Sequence, residues 1–236
     1  MLERKYGNLP DWSLKMQQTL IEHSVKIPPL GLDGDLVVPE AATGVVLFAH
    51  GSGSSRHSSR NRYVAEVLQQ GGFATLLLDL LTSDEEEIDL PTRELRFNIA
   101  MLAQRLLLAA DWLQREPTVA NLPIGLFGAS TGAAAALLVA VRIPVAIRAI
   151  VSRGGRPDLA GPALPYVQAP TLLIVGGDDD FVIELNREAL AQLRTEKQLA
   201  IIPGATHLFE EPGALDQVSK LARNWFQRYL TLTKNM

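Results

Sequence analysis

The pentapeptide Gly128-Ala129-Ser130-Thr131-Gly132, which has the pattern G-x-S-x-G, restricts the possible folds of this chain more than any other segment. A short apolar run, residues 123–127, precedes it, and a run of small residues, 133–136, follows it. This context predicts a buried strand, a sharp turn and then a helix. A turn of this kind brings strand and helix close together, so it needs glycines and holds the serine in a rare backbone conformation. A turn that merely needs glycine is the alternative, but the flanking strand and helix favour Ser130 as a nucleophile.

The composition is that of a globular protein with a large core. The chain has 236 residues, of which 47% are hydrophobic, and α/β folds of this size are often undivided, so we expect one domain over residues 1–236. The formal net charge of −4 with scattered signs disfavours nucleic acid as a partner, because binding phosphates requires a basic face. Cysteine is absent, which excludes disulfides, thiolate metal sites and a cysteine nucleophile.

The N-terminal residues are polar and lack the apolar core of a signal peptide. No uninterrupted apolar segment is long enough to span a bilayer. We therefore expect a cytoplasmic protein without a membrane partner. No sequence feature specifies an oligomeric state.

Strand and helix patterns alternate along the chain. Residues 19–27 and 30–38 predict an antiparallel opening pair of strands, preceded by an N-terminal extension over residues 1–18. The remaining strand patterns are mostly continuous apolar runs, typical of strands buried on both faces. They lie at 44–49, 73–78, 123–127, 146–152, 170–175 and 198–202, and helices are predicted at 62–70, 93–115, 131–141, 184–195 and 215–230. The alternation predicts an α/β fold: a mostly parallel, twisted sheet of about eight strands with helices on both faces and no separate lid domain.

Residues 80–91 are predicted to form a loop that carries the acidic run Asp84 to Glu87. We expect this run to be a solvated surface. A metal site is disfavoured there, because no histidine lies nearby and consecutive carboxylates cannot all face one ion.

A serine hydroxyl needs a base to remove its proton, and the base needs an acid to orient it. Four histidines are available. His23 lies in the opening strand pair, His50 is followed at once by a glycine turn, and His57 lies among arginines that oppose a positive charge. His207 follows the last predicted strand, at the edge of the sheet where ligands bind. Chain order and elimination favour His207 as the base.

The acid is expected after the strand at 170–175, where Asp178, Asp179 and Asp180 are all candidates. A divalent metal bound by the three aspartates is disfavoured, because no neighbouring histidine completes a familiar ligand set.

An oxyanion hole requires two amides aimed at the developing negative charge. The geometry of the turn makes the amide of Thr131 one donor. The turn His50-Gly51-Ser52-Gly53 is expected to supply the other, with Ser52 favoured. A phosphate loop over residues 51–55 fails as an interpretation, because no Gly-Lys-Ser/Thr follows.

Four motifs in this order, the His50-Gly51 turn, the Ser130 turn, the aspartate loop and the loop 204–207, resemble those of the α/β-hydrolase superfamily. The resemblance covers the chain from about residue 44 to its end, and the lid-free layout looks most like the dienelactone hydrolase group. Residues 176–182 resemble the G-x-x-D-x-x-V acid loop of that superfamily, which selects Asp179 as the acid. Dienelactone hydrolases proper have a cysteine where this chain has Ser130. Some proteins of this kind are fused to phosphoribosyltransferases, whose Thr-Gly-x-Thr signature is absent here.

The resemblance implies a serine hydrolase that cleaves a small-molecule ester or lactone with the triad Ser130, Asp179 and His207, without cofactor or metal. Two alternatives stay open: transfer of the acyl group to an alcohol or peroxide, and a non-catalytic binding module. Arg56, after the oxyanion turn, and Arg153, at the end of a predicted strand, are candidates to bind a substrate carboxylate. The alternative for each is an ordinary solubilising arginine.

Overall fold

The computed structural model describes residues 20–230, so the predicted extension over residues 1–18 lies outside the described part of the chain. The strands are β1 (Leu20–Ile27), β2 (Leu32–Pro39), β3 (Gly44–Ala49), β4 (Phe73–Leu78), β5 (Ile124–Ala129), β6 (Ile147–Arg153), β7 (Thr171–Gly176) and β8 (Lys197–Ile202). The helices are α1 (Ser59–Gln70), α2 (Ser83–Thr92), α3 (Ile99–Leu113), α4 (Thr131–Arg142), α5 (Asp180–Gln192) and α6 (Ala214–Leu230). Two 3₁₀ segments, Leu95–Phe97 and Pro157–Tyr166, complete the described elements.

All eight strands form one sheet in the order β1-β2-β4-β3-β5-β6-β7-β8. β1 pairs with β2, and β2 with β4, in antiparallel fashion, whereas every pair from β4 to β8 is parallel. In the sheet, β3 lies between β4 and β5, so the strands that follow β3 are placed first on one side of it and then on the other. The carboxyl ends of β3 and β5 therefore meet at the position where sheets of this type bind ligands.

The helices cover the two faces of the sheet as separate layers. Because side chains alternate along a strand, Val45 and Leu47 join the core under α3 and α4, whereas Val46 and Phe48 join the core under α1 and α6. Most residues of α4 are buried, as its apolar sequence predicts. This central helix follows β5 directly, so its first turn is fixed by packing on several sides.

The loop prediction for residues 80–91 is wrong, because α2 begins at Ser83. The Thr82 side chain accepts a hydrogen bond from the Glu85 amide (3.2 Å), and the Glu85 carboxylate accepts one from the Thr82 amide (2.9 Å). This reciprocal cap satisfies two amides that the first turn leaves without partners. The acidic run occupies that first turn, where the helix dipole favours negative charge. No group of three or more potential metal ligands is found among the residues that the structure describes.

The single long helix predicted for residues 93–115 is interrupted. Arg93 adopts a left-handed conformation (φ 58°), a 3₁₀ turn follows it, and α3 begins only at Ile99. The Asn98 side chain caps α3 by accepting a hydrogen bond from the Met101 amide (3.1 Å). The predicted helix 184–195 begins four residues early, at Asp180. None of the helices within residues 20–230 combines the length and apolar character needed to cross a membrane.

Candidate active site

The turn between β5 and α4 places Ser130 at the carboxyl edge of the sheet. Ser130 has φ 49° and ψ −120°, a backbone conformation that non-glycine residues rarely adopt. Its amide donates to the Arg153 carbonyl (3.2 Å), and its carbonyl accepts from the Arg156 amide (3.0 Å). These bonds tie the turn to the end of the neighbouring strand β6 and support the strained residue.

The two glycines of the turn are required by close backbone contacts. A Cβ at Gly128 would lie 2.4 Å from the Ala133 Cα, and a Cβ at Gly132 would lie 2.2 Å from the Ala49 carbonyl oxygen. The atoms that these Cβ atoms would meet belong to the backbone, so neither contact can be relieved by rotating a side chain. The sequence prediction of a turn that excludes side chains at both positions is confirmed.

His207 and Asp179 lie together at the same edge of the sheet. Nδ1 of His207 is 2.7 Å from Oδ2 of Asp179. Asp179 is 16% exposed and His207 40% exposed at the side chain, so the pair is partly covered while the ring stays accessible. The bond places the imidazole proton on Nδ1, because a carboxylate only accepts, and leaves Nε2 as an acceptor. Asp178 and Asp180 make no such contact with His207.

The backbone of β6 joins Ser130 to His207. Gly154 follows Arg153, whose carbonyl binds the Ser130 amide, and a Cβ at Gly154 would lie 3.5 Å from Cε1 of His207. Ser130 therefore contacts Arg153, and His207 lies against the next residue along the chain, Gly154. Among residues 20–230 the Ser130 hydroxyl forms no hydrogen bond, an arrangement seen when a catalytic contact tightens only with substrate bound.

The predicted oxyanion donors, Ser52 and Thr131, are in direct contact. The Ser52 amide donates to Oγ1 of Thr131 (3.0 Å). A Cβ at the preceding residue, Gly51, would lie 2.9 Å from the Ser130 Cβ, so this turn passes directly over the nucleophile. Thr131 is the first residue of α4, and its amide has no partner within the helix. Both residues thus lie beside Ser130, but the one hydrogen of the Ser52 amide is donated to Thr131 Oγ1, so of the two amides only that of Thr131 is open to an oxyanion in this structure.

His50 is a buried residue that secures the oxyanion turn. Its Nδ1 lies 2.9 Å from the Gly51 carbonyl oxygen, and its Nε2 accepts a hydrogen bond from the Leu80 amide (3.1 Å). This pattern fixes the neutral tautomer with the proton on Nδ1. His50 was disfavoured as a base from its position in the sequence, and in the structure it links the turn to the loop that follows β4.

Burial lowers the pKa of His50 below its ordinary value of 6.5, against the opposing effects of the Gly51 carbonyl and Asp79. The unfolded chain therefore takes up this proton first as pH falls. The stability contributed by neutral His50 is present above the unfolded pKa and is lost as pH falls through the folded pKa.

We expect the free energy of unfolding of the wild type to fall from about pH 7 to about pH 5 more steeply than that of His50→Gln. Urea unfolding at a series of pH values measures the slope, and His23→Gln, at an exposed position in β1, is the control. Equal slopes for the wild type and His50→Gln would contradict this assignment.

A cavity of about 490 Å³ opens beside the oxyanion turn. One wall is the turn itself, residues 50–55, and the other is formed by α2 with Glu86 and Leu90. Burial, and next the charge of Asp79, raises the pKa of Glu86. The volume of the cavity suits a small-molecule ligand. The wall formed by α2 was not predicted from the sequence, although the pattern Thr82-x-x-Glu85 is a signal for the start of a helix.

The two candidate arginines have different surroundings. Nε of Arg56 lies 3.5 Å from Oδ2 of Asp35, and its Nη1 contacts Oδ2 of Asp79. Its amide also donates to Oδ1 of Asp79 (2.6 Å). Arg56 is thus neutralised by two carboxylates of the protein and anchors the loop before α1. Arg153, in contrast, is buried and forms no ion pair with any described residue.

Solved structures of known proteins share this architecture. A dienelactone hydrolase from Anabaena variabilis matches with a TM-score of 0.87 and 62% sequence identity, over 91% of this chain and 99% of that chain. Est1E from Butyrivibrio proteoclasticus matches with a TM-score of 0.72 over 88% of this chain and 98% of that chain. At 16% identity, Est1E shows a shared fold only.

A sequence relative from Mycobacterium tuberculosis carries the provisional name of a phosphoribosyl transferase. It is 58% identical over 209 residues, which cover 89% of this chain and 46% of the relative. The chain therefore spans about half the length of that relative. The profile of the dienelactone hydrolase family matches residues 32–236, which include every residue of the candidate site. The fold and this match agree, and the chain belongs to the dienelactone hydrolase family.

Proposed function

We propose that the chain is a serine hydrolase that cleaves a carboxylic ester or lactone of a small molecule through an acyl-enzyme on Ser130. The observation that supports this most directly is the 2.7 Å contact between His207 Nδ1 and Asp179 Oδ2, next to the strained Ser130 turn. Such a contact holds Nε2 unprotonated, so that it can accept the serine proton.

In the proposed reaction, Oγ of Ser130 attacks the carbonyl carbon while Nε2 of His207 takes the hydroxyl proton. Asp179 orients the ring and stabilises the imidazolium that forms. The carbonyl oxygen becomes an oxyanion, which the Thr131 amide stabilises, and the Ser52 amide adds a second hydrogen bond only when its hydrogen leaves Thr131 Oγ1. His207 then donates its proton to the departing alkoxide. Water, deprotonated by His207, hydrolyses the acyl-enzyme and regenerates Ser130. The cavity beside the oxyanion turn would hold one part of the substrate.

The Thr131 hydroxyl ties the turn that carries Ser52 to the start of α4, because it accepts the hydrogen bond of the Ser52 amide. Thr131→Val keeps the side-chain shape and removes the acceptor. We expect kcat for ester hydrolysis to fall about 10- to 100-fold, with KM little changed, because the turn loses its anchor beside the position where the oxyanion forms. Thr131→Ser keeps the hydroxyl and should retain most of the wild-type kcat. An unchanged or higher kcat in Thr131→Val would contradict this role.

Hydrolysis and acyl transfer share the same acyl-enzyme and are distinguished by their products. Mass spectrometry of reactions containing a simple ester and a competing alcohol measures the partition. A hydrolase should yield mainly the free acid, whereas a predominance of the new ester, or of a peracid with peroxide present, would assign the protein to a transferase or perhydrolase. No acyl product of any kind would favour a binding module.

The name of the mycobacterial relative does not decide between these reactions. This chain matches 46% of that relative, and its sequence has no Thr-Gly-x-Thr diphosphate-binding signature. We therefore propose hydrolase activity for this chain, which corresponds to about half of the relative, and we propose no phosphoribosyl transfer by it.

A further inference from the structure

Arg153 is a buried cation at the carboxyl end of β6. It is the last residue of β6 and pairs with Ala129 on one side and Ile174 on the other. Its side chain is on the same face as Val151, two residues earlier, which is the face covered by α1 and α6. Its guanidinium carbon lies 5.9 Å from the centre of the Phe127 ring. The residue is 8% exposed.

No group in the described part of the chain neutralises this cation. Arg153 forms no ion pair within residues 20–230, and its Nη1 atom is buried without a hydrogen-bond partner. It is also the only arginine among the buried residues of that range. A buried charge is normally paired and hydrogen-bonded, because desolvation is otherwise uncompensated. Arg96 shows the usual arrangement, since its Nε contacts the buried carboxylate of Asp89.

A second arginine adds to the positive charge. Arg60, in the first turn of α1, has an Nε atom that is likewise buried without a partner. Burial, followed by the charge of Arg60, lowers the pKa of Arg153 to about 10. The one carboxylate on Arg60 within residues 20–230 is that of Glu210, 2.7 Å from Nη1 and 62% exposed at its side chain. Glu210 belongs to the same loop as His207, so this ion pair covers the region next to the triad.

We propose that Arg153 and Arg60 form a binding site for a small oxyanion, a phosphate or carboxylate group, on the α1/α6 face of the sheet beside Ser130. A guanidinium offers parallel N–H donors in a plane, the geometry that matches the oxygens of these groups. An oxyanion here supplies the acceptor that Nη1 of Arg153 lacks. Arg56 takes no part, because Asp79 and Asp35 already hold it.

Inorganic phosphate is the probe for the first test. The melting temperature of the full chain is measured in a buffer without oxyanions while phosphate is added. We expect a saturable increase, because a ligand that binds the folded state stabilises it. In Arg153→Gln the half-saturating phosphate concentration should rise about 10- to 100-fold. Arg148→Gln, at an exposed position of the same strand, should respond like the wild type.

Two further variants keep the test decisive if Arg153→Gln is poorly folded. Glu210→Gln removes the carboxylate that contacts Arg60, so phosphate should bind about threefold or more tightly than to the wild type. Arg153→Met removes the unpaired charge and should raise the melting temperature in phosphate-free buffer. A wild-type melting temperature that phosphate leaves unchanged would overturn the proposal, and a lower melting temperature in Arg153→Met would make Arg153 a structural residue.

The oxyanion can be a group of the substrate or a separate ligand, and kinetic measurements distinguish the two. Only this kinetic test rests on the proposed hydrolase function. If the group belongs to the substrate, phosphate should raise KM for an ester carrying a carboxylate and leave KM for a neutral ester unchanged. If it is a separate ligand, phosphate should affect both esters alike. The phosphate response of Ser130→Ala should equal that of the wild type, so an absence of hydrolysis and an absence of the anion site are told apart.

Discussion

Replacing Ser130 by alanine is expected to lower ester hydrolysis by about 10⁴- to 10⁶-fold, leaving only the residual rate that substrate binding and the oxyanion hole support. The reason is chemical: without Oγ no acyl-enzyme forms, and His207 has no proton to accept from a nucleophile. The fold should be unchanged, because the Ser130 hydroxyl forms no hydrogen bond within residues 20–230 and its backbone bonds to Arg153 and Arg156 remain.

Initial rates with a chromogenic ester measure this effect, and circular dichroism monitors the fold. Ser24→Ala, at an exposed position in β1, is the matched control and should keep the wild-type rate. Hydrolysis by Ser130→Ala within about tenfold of the wild type would exclude Ser130 as the nucleophile.

Gly132→Ala is expected to destabilise the fold by about 4 kcal/mol or more, a loss found only where a defined structural requirement is broken. The new Cβ would lie 2.2 Å from the carbonyl oxygen of Ala49 and 2.6 Å from that of His50. Both atoms are backbone, at the end of β3 and the start of the oxyanion turn. To relieve the contact, either α4 or β3 must shift, and both are enclosed by the core.

Gly31→Ala is the matched control for this prediction. Gly31 has φ +71°, but a Cβ there would meet no atom within 4 Å. Only the left-handed backbone conformation opposes alanine at Gly31, which costs about 1 kcal/mol. Urea unfolding of both variants compares the two. Losses of equal size would show that the contact at Gly132 is relieved by small movements, and the turn at Ser130 would then be less constrained than the structure indicates.

The parts of the fold and site that could be predicted from the sequence depend on local pattern. The Gly128 to Gly132 pentapeptide predicts the turn from its local pattern, although the atoms that exclude a Cβ belong to Ala133 for Gly128 and to the end of β3 for Gly132. Buried parallel strands are visible as continuous apolar runs, with boundaries within about three residues of those in the structure. The missed helix α2 also had a local signal, the Thr82 and Glu85 pair, which the acidic composition obscured.

Contacts between distant segments could not be predicted in this way. Nothing near Ser52 in the sequence indicates that its amide binds the Thr131 hydroxyl, 79 positions away. The same holds for the arginines: Arg56 and Arg153 look alike in sequence, because each follows a strand or turn at the expected edge. Their difference arises from tertiary structure, which gives Arg56 two carboxylates and gives Arg153 none.

The proposed function depends above all on Ser130 being an activated nucleophile. Intact-mass analysis after treatment with a fluorophosphonate is a direct test, because the reagent reacts with activated serines and needs no knowledge of the substrate. We expect one adduct per chain, mapped to the peptide that contains Ser130 and absent from Ser130→Ala. No adduct on the folded wild type, or an adduct that persists in Ser130→Ala, would contradict the proposed function.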